Sequence, residues 1–355
     1  MIRNRVDVII LGQGIAGTTL AWRLLSAGCT VMVLDRGDRI TASKIAAGLM
    51  TPITGKRFAI SWDWEDFYSA AAQFYREIET KTETQFFDEL PMLRLFQTAE
   101  ERQTFEGKLS RLTDLVSSTR PDFKTFQHAA AEGGFEMIGG RLHVEEYLKA
   151  SRKMFQSMES YSECSVDVQT EIEIQPNGIV IPKLNLTSKH FVTCQGFQST
   201  MFPHFDPVKF NPAKGEILDI KTHNSNIDRV IHRGIWMSPR GKQIRIGATY
   251  DWSDLSNEVT ENGRNWLTSR LNNLLSSEYE IVQHQAAIRP TMKDFHPVLG
   301  AHPKMNNVLI FNGLGSKGSL MAPRLAQMLT NQMLHQTPLP RNLSVERWFR
   351  TDPEN

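Results

Sequence analysis

The chain has 355 residues, 40% of them apolar and 22% charged, which is the make-up of a globular protein with two compact units or one large one. Forty basic side chains against 39 acidic ones leave a formal net charge of +1. Disorder is disfavoured, and there is no electrostatic reason to expect DNA, RNA or an anionic membrane as the main partner.

Three cysteines, Cys29, Cys164 and Cys194, stand far apart, with no CxxC pair or Cys/His cluster at metal-ligand spacing. That speaks against a zinc site or a disulfide framework and for a reducing, cytoplasmic compartment. The amino terminus imitates an export signal, arginines before an apolar run, but Asp7 and three glycines interrupt it. No stretch approaches the roughly 18 apolar residues of a membrane span.

In chain order, residues 6–11 (VDVIIL) form a β-branched run suited to a strand covered on both faces. Gly12-Gln13-Gly14-Ile15-Ala16-Gly17 follows at once. Ala16, Leu20 and Leu24 then mark one face of a helix that Gly28 closes, and residues 31–34 form a second strand ending in Asp35. This βαβ opening is a dinucleotide-binding pattern. Gly12 allows the tight turn, Gly14 lets the backbone approach a pyrophosphate, and Gly17 lets helix and strand pack closely. Asp35, eighteen residues after Gly17, accepts ribose hydroxyls and repels a 2′-phosphate. The pattern occurs once, so one dinucleotide is expected.

Further along, helices are predicted over residues 62–82, 98–116, 145–158 and 261–275, with strands around Leu93, over 165–174 and 188–194, and at 216–220, 235–237 and 244–249. Residues 191–196 run from strand into Gly196 and return the chain to the nucleotide sheet. A last buried strand, 308–312, leads through the turn at 313–318 into a helix in which Pro323 either belongs to the first turn or kinks the helix there. The fold class is therefore α/β with an α+β second domain. It comprises a Rossmann-like dinucleotide domain (1–85, 140–206 and 290–355) and a discontinuous, strand-rich substrate domain (86–139 and 207–289). The last fifteen or so residues read as a tail.

These residues, with Ser43, Pro52, Lys214-Gly215-Glu216, Pro239-Arg240, Gly247-Ala248-Thr249, Arg289-Pro290 and the turn at 313–318, resemble the D-amino-acid oxidase superfamily. Within it the chain is most similar to glycine oxidase and sarcosine oxidase-type enzymes. The resemblance implies non-covalent FAD, since no cysteine follows Cys194 to link it. Gly12, Gly14, Ile15, Ala16 and Gly17 would hold the pyrophosphate, Asp35 and Arg36 the adenosine end, and Val166 the adenine through its backbone. Ser43, Ala46, Ala47, Gly48 and Leu49 would line the flavin, with Gly196 at the sheet's edge. Gly313, Gly315, Ser316, Lys317, Gly318 and Ser319 would place N–H groups and a helix N-terminus at its pyrimidine edge.

For catalysis the resemblance singles out Arg289, whose fork suits a substrate carboxylate, with a structural salt bridge as the alternative. Trp236 stands where glycine oxidase has a tyrosine and is either pocket wall or plain packing. Tyr250 either supplies the missing hydroxyl or is an ordinary tyrosine. The ten histidines are scattered, and none is assigned a role. The expected reaction is oxidation of a small amino acid or carboxylate-bearing amine, with O2 or a quinone as electron acceptor. Two other readings stay open: a flavin domain acting on carboxymethylaminomethyl-nucleosides in tRNA, and a flavin-binding homologue without turnover.

Overall fold

The computed structural model describes residues 4–117, 130–222 and 227–350. The amino-terminal run forms the strand Arg5–Leu11, with Leu186–Thr193 parallel on one side and Val31–Asp35 parallel on the other. Being central, it is covered on both faces, and Ile9 and Ile10 are wholly buried. Met305–Asn312 and Tyr161–Glu163 extend the parallel sheet outward, and Val298–His302 closes one edge antiparallel. The helices Ile15–Ser26, Trp64–Thr82, Val144–Ser157 and Gly318–His335 pack on one face around Leu20, Phe74, Tyr147 and Leu325.

A second sheet runs Tyr279–Arg289, Ala213–Thr222, Gln243–Gly247, Ile235–Arg240, Val230–Arg233, Phe87–Leu95, Gly134–Leu142 and Leu49–Met50 in spatial order. All its pairings but Val230–Arg233 with Phe87–Leu95 are antiparallel. The helix Glu261–Asn272 covers part of one face through Leu267 and Leu271, against Leu218, Ile220 and Ile246. On another part of the sheet Ile217, Ala287 and Trp236 meet Ile45 from the one-turn helix Ala42–Ile45.

Three expectations change. The helix predicted over 98–116 ends at Glu106, and two 3-10 turns, Leu109–Arg111 and Thr113–Leu115, follow Gly107. Leu109, Leu112 and Leu115 recur every three residues, the 3-10 repeat. No strand spans 165–172; only Glu173–Gln175 pairs. There the Asp167 and Glu171 carboxylates accept from the nearby backbone N–H groups of Gln169 and Asp167, an alternative to a ladder. Pro323 lies inside the last helix rather than in its first turn. It has no N–H for the Ser319 carbonyl, which accepts instead from the buried Tyr75 hydroxyl at 2.8 Å. Of the expected tail, residues 351–355 lie outside those described; Val345–Trp348 form a 3-10 turn whose Val345 is buried in the core.

Candidate active-site cleft

A cavity of about 450 Å³ is lined from both sheets. A neighbouring one of about 20 Å³ has room for a single water, so the larger cleft is where a ligand of any size fits. It begins at the glycine turn. Gly12 has φ 106°, and a side chain there would strike the Cys194 carbonyl at 2.6 Å. One on Gly17 would come within 1.9 Å of the Gly12 carbonyl, so these glycines are what bring strand and helix into contact. The helix that starts at Ile15 has Gly14 as its N-cap and no side-chain cap, while Ile15 N–H donates to Ser43 Oγ at 3.1 Å. Its N-terminal donors and partial positive charge are thus turned to the cleft.

Asp35 ends the second strand beside this turn. Its carboxylate accepts from Gln13 N–H at 2.7 Å and Gly37 N–H at 2.9 Å, with the Arg152 guanidinium 3.7 Å away. Arg152 is held in turn by Gln13 Oε1 at 2.7 Å. Each Asp35 oxygen keeps a free lone pair for a ribose hydroxyl. Farther in, the turn 314–320 brings a second helix N-terminus to the wall, again without a side-chain cap. Lys317 is its N-cap. Among the described residues its ammonium reaches only Ser61 Oγ, at 3.4 Å, and burial lowers its pKa.

The second sheet supplies the opposite end. The Arg289 guanidinium lies flat over Gly215, where any Cβ would meet Nη2 at 2.1 Å. Arg289 Nη1 donates to the carbonyls of Lys214 and Thr249, both at 3.2 Å, and the Tyr250 ring stacks on the guanidinium at 4.0 Å. No carboxylate lies within ion-pair distance among the described residues, so the structure provides no salt bridge for this cation, and burial lowers its pKa. Trp236 lies across its strand partner Gly247, whose missing side chain would meet the indole at 2.4 Å. Directly opposite Trp236 on the next strand stands His232. Burial and the neighbouring Arg94 hold this imidazole down at about 3, and its buried Nε2 has no hydrogen-bond partner.

Gly12, Gly14, Ile15, Ala16, Asp35, Arg36, Ser43, Ala46, Ala47, Gly48, Leu49 and Gly196 line this cleft. So do Trp236, Arg289, Gly315, Ser316, Lys317, Gly318 and Ser319. Gly17 and Gly313 lie behind the wall, where Gly313 makes room for Met292. Two residues fall elsewhere. The Val166 side chain is buried in the apolar cluster around Leu34 and Phe191, and Tyr250 is 47% exposed and turned onto Arg289 from outside the wall. His232, Ser61, Gln13 and Asn257 also line the cleft and were not foreseen. For His232 the signal was available: a tight turn at Gly234 sets residues two before and two after it on one face, next to Trp236.

The profile of the family described as DAO, FAD dependent oxidoreductase, matches residues 7–332. The chain is 23% identical to a glycine oxidase of Bacillus licheniformis, over 94% of each chain. It is also 23% identical to the bifunctional tRNA 5-methylaminomethyl-2-thiouridine biosynthesis protein MnmC of Marinobacter nauticus, covering 97% of this chain and 58% of that one. Among solved structures, iminodiacetate oxidase from Chelativorans sp. BNC1 superposes with a TM-score of 0.78 at 19% identity, over 96% of this chain and 98% of that one.

Proposed function

The chain belongs to the DAO family of FAD-dependent oxidoreductases, with FAD as cofactor, and from that premise we propose that it oxidises the C–N bond of a small amino acid or related carboxylate-bearing amine. The observation that carries this reading is Arg289, a half-buried guanidinium with no carboxylate partner among the described residues, in the same cleft as the glycine turn. An uncompensated buried cation is costly, and a bound carboxylate relieves that cost.

The residues present fit FAD: two uncapped helix N-termini, a glycine turn whose close approaches exclude side chains, and Asp35 line one continuous cleft. The helix at Ile15 would hold the pyrophosphate, Asp35 and Arg36 the adenosine end, and residues 43–49 and 315–319 the flavin, without a covalent link. Residues 1–85, 140–206 and 290–355 would form the FAD-binding part, and 86–139 with 207–289 the substrate-binding part. FAD supplies a hydride acceptor, so that the substrate C–H bond breaks, the nitrogen lone pair closes a C=N bond, and water then splits the imine.

Within that reaction Arg289 binds and orients. Nη1 is committed to two backbone carbonyls, which fixes the plane of the fork and leaves Nε and Nη2 to meet both oxygens of a carboxylate. Trp236 forms an apolar floor that excludes water beside the reacting carbon. His232 is uncharged at neutral pH, and no histidine base is required if the amine binds in its neutral form. Positioning supplies most of the catalysis. The test is anaerobic addition of glycine, sarcosine, D-alanine and D-proline to the flavin-loaded protein, followed by air. Bleaching by at least one supports the reading, and the speed of recolouring in air separates oxygen from a quinone as acceptor. If none bleaches the flavin, the reading fails.

A further inference from the structure

We propose that Lys317 is a second anion anchor in the cleft, and that the substrate is an amine carrying two carboxylates, one held by Arg289 and the other by Lys317. This rests on the oxidation reading above and adds a substrate class to it. The charge of the cleft wall carries the inference. Among the described residues its only acids are Asp35 and Asp38, both at the nucleotide end, where Asp38 pairs with Arg36. Away from that end the lining holds two cations, Arg289 and Lys317, and neither has a carboxylate within ion-pair distance among the described residues. A glycine-like substrate with an uncharged amine brings one negative charge and leaves Lys317 without a counter-charge. A cation held partly out of water is costly unless paired, and a second carboxylate removes that cost.

The chain path brings the two cations to the same end. Gly315 N–H donates to the Pro290 carbonyl at 3.4 Å, and a side chain on Gly315 would meet Thr291 at 2.9 Å. The turn that leads into Lys317 therefore runs against the residues that follow Arg289. Lys317 is only half-buried and keeps accessible surface, and both it and Ser61, which its ammonium touches, line the cleft. The Ser61 hydroxyl spends its proton on the Thr51 carbonyl at 2.7 Å, so towards Lys317 it can only accept. Two of the three ammonium donors are left for a ligand. A point charge on a flexible stem suits the single charge of a carboxylate on a short arm.

The test uses pairs equal in shape and different by one charge. N-(2-carboxyethyl)glycine is compared with N-(2-carbamoylethyl)glycine, which varies the arm on nitrogen, and D-glutamate with D-glutamine, which varies the arm on the α-carbon. In at least one pair the wild-type KM of the acid is expected to be roughly tenfold or more below that of the amide, the worth of a charge-assisted hydrogen bond. In Lys317→Met that ratio falls to about one, and Lys317→Arg partly restores it. A binding arm uses analogues with no amine to oxidise, (2-carboxyethoxy)acetate and glutarate, each against its monoamide. It is read by the visible spectrum of the bound flavin in wild type and Lys317→Met. Absence of an acid preference in every pair, or a preference that survives in Lys317→Met, overturns the proposal. So do equal losses on acid and amide, which would make Lys317 a contact of the flavin alone. If no amine bleaches the flavin while an acid analogue is preferred through Lys317, the oxidation reading fails and the second anchor stands.

Discussion

Arg289 is half-buried and has no acid partner among the described residues, so its proposed value lies in what it binds. Replacing it with alanine should lower kcat/KM for a carboxylate-bearing amine by at least roughly a hundredfold, about 2.7 kcal/mol, with flavin content unchanged. Arg289→Lys should recover little of this, because a point charge lacks the fork. His232 gives a pH signature. Its folded pKa of about 3 lies below the ordinary value near 6.5, so between those limits the unfolded chain takes up a proton that the folded chain refuses. Stability should therefore fall as pH drops through that window, by at most about 1.4 kcal/mol per pH unit, and His232→Phe should flatten the slope in urea titrations. The glycines and Asp35 could be read as candidates because their chemistry is written in local order, whereas Arg289 was singled out only through the family resemblance. Gln13 acts through a neighbour distant along the chain, Arg152, which no local pattern announces.

Helix and strand were legible wherever one period ran unbroken. The helix Trp64–Thr82 lies within the predicted span 62–82, one side of which Trp64, Phe67, Ala71, Phe74, Tyr75 and Ile78 mark, and the first βαβ unit has the bounds its glycines set. Boundaries failed where local polar bonds or a change of repeat decided the matter, as at 165–172 and after Gly107. Pro323 shows how a helix tolerates a break: the Ser319 carbonyl it orphans is satisfied by a tyrosine 244 residues away in sequence. Tyr75→Phe should thus leave a buried carbonyl unpaired and destabilise the protein by about 1–3 kcal/mol, seen as a lower denaturation midpoint with an unchanged m-value.

Across the whole molecule, the second sheet and the turn at 42–48 are joined through a buried ion pair. Arg245 forks onto Asp219 with two bonds of 2.8 Å and donates to the Ile45 carbonyl at 3.0 Å, while Arg240 links Asp219 to Glu145. The turn at 42–48 therefore sits where this sheet puts it. Arg245→Met should strand Asp219, cost about 3–5 kcal/mol, and weaken FAD binding measured by flavin fluorescence. The same arrangement makes one cleft out of two sheets, with the nucleotide turn at one end and a cationic fork at the other. The most direct test of that account is the rate of anaerobic flavin bleaching by sarcosine or glycine in wild type and Arg289→Ala side by side. Rapid bleaching in the wild type and a loss of a hundredfold or more in an equally yellow variant is the predicted result; equal rates in the two proteins would contradict it.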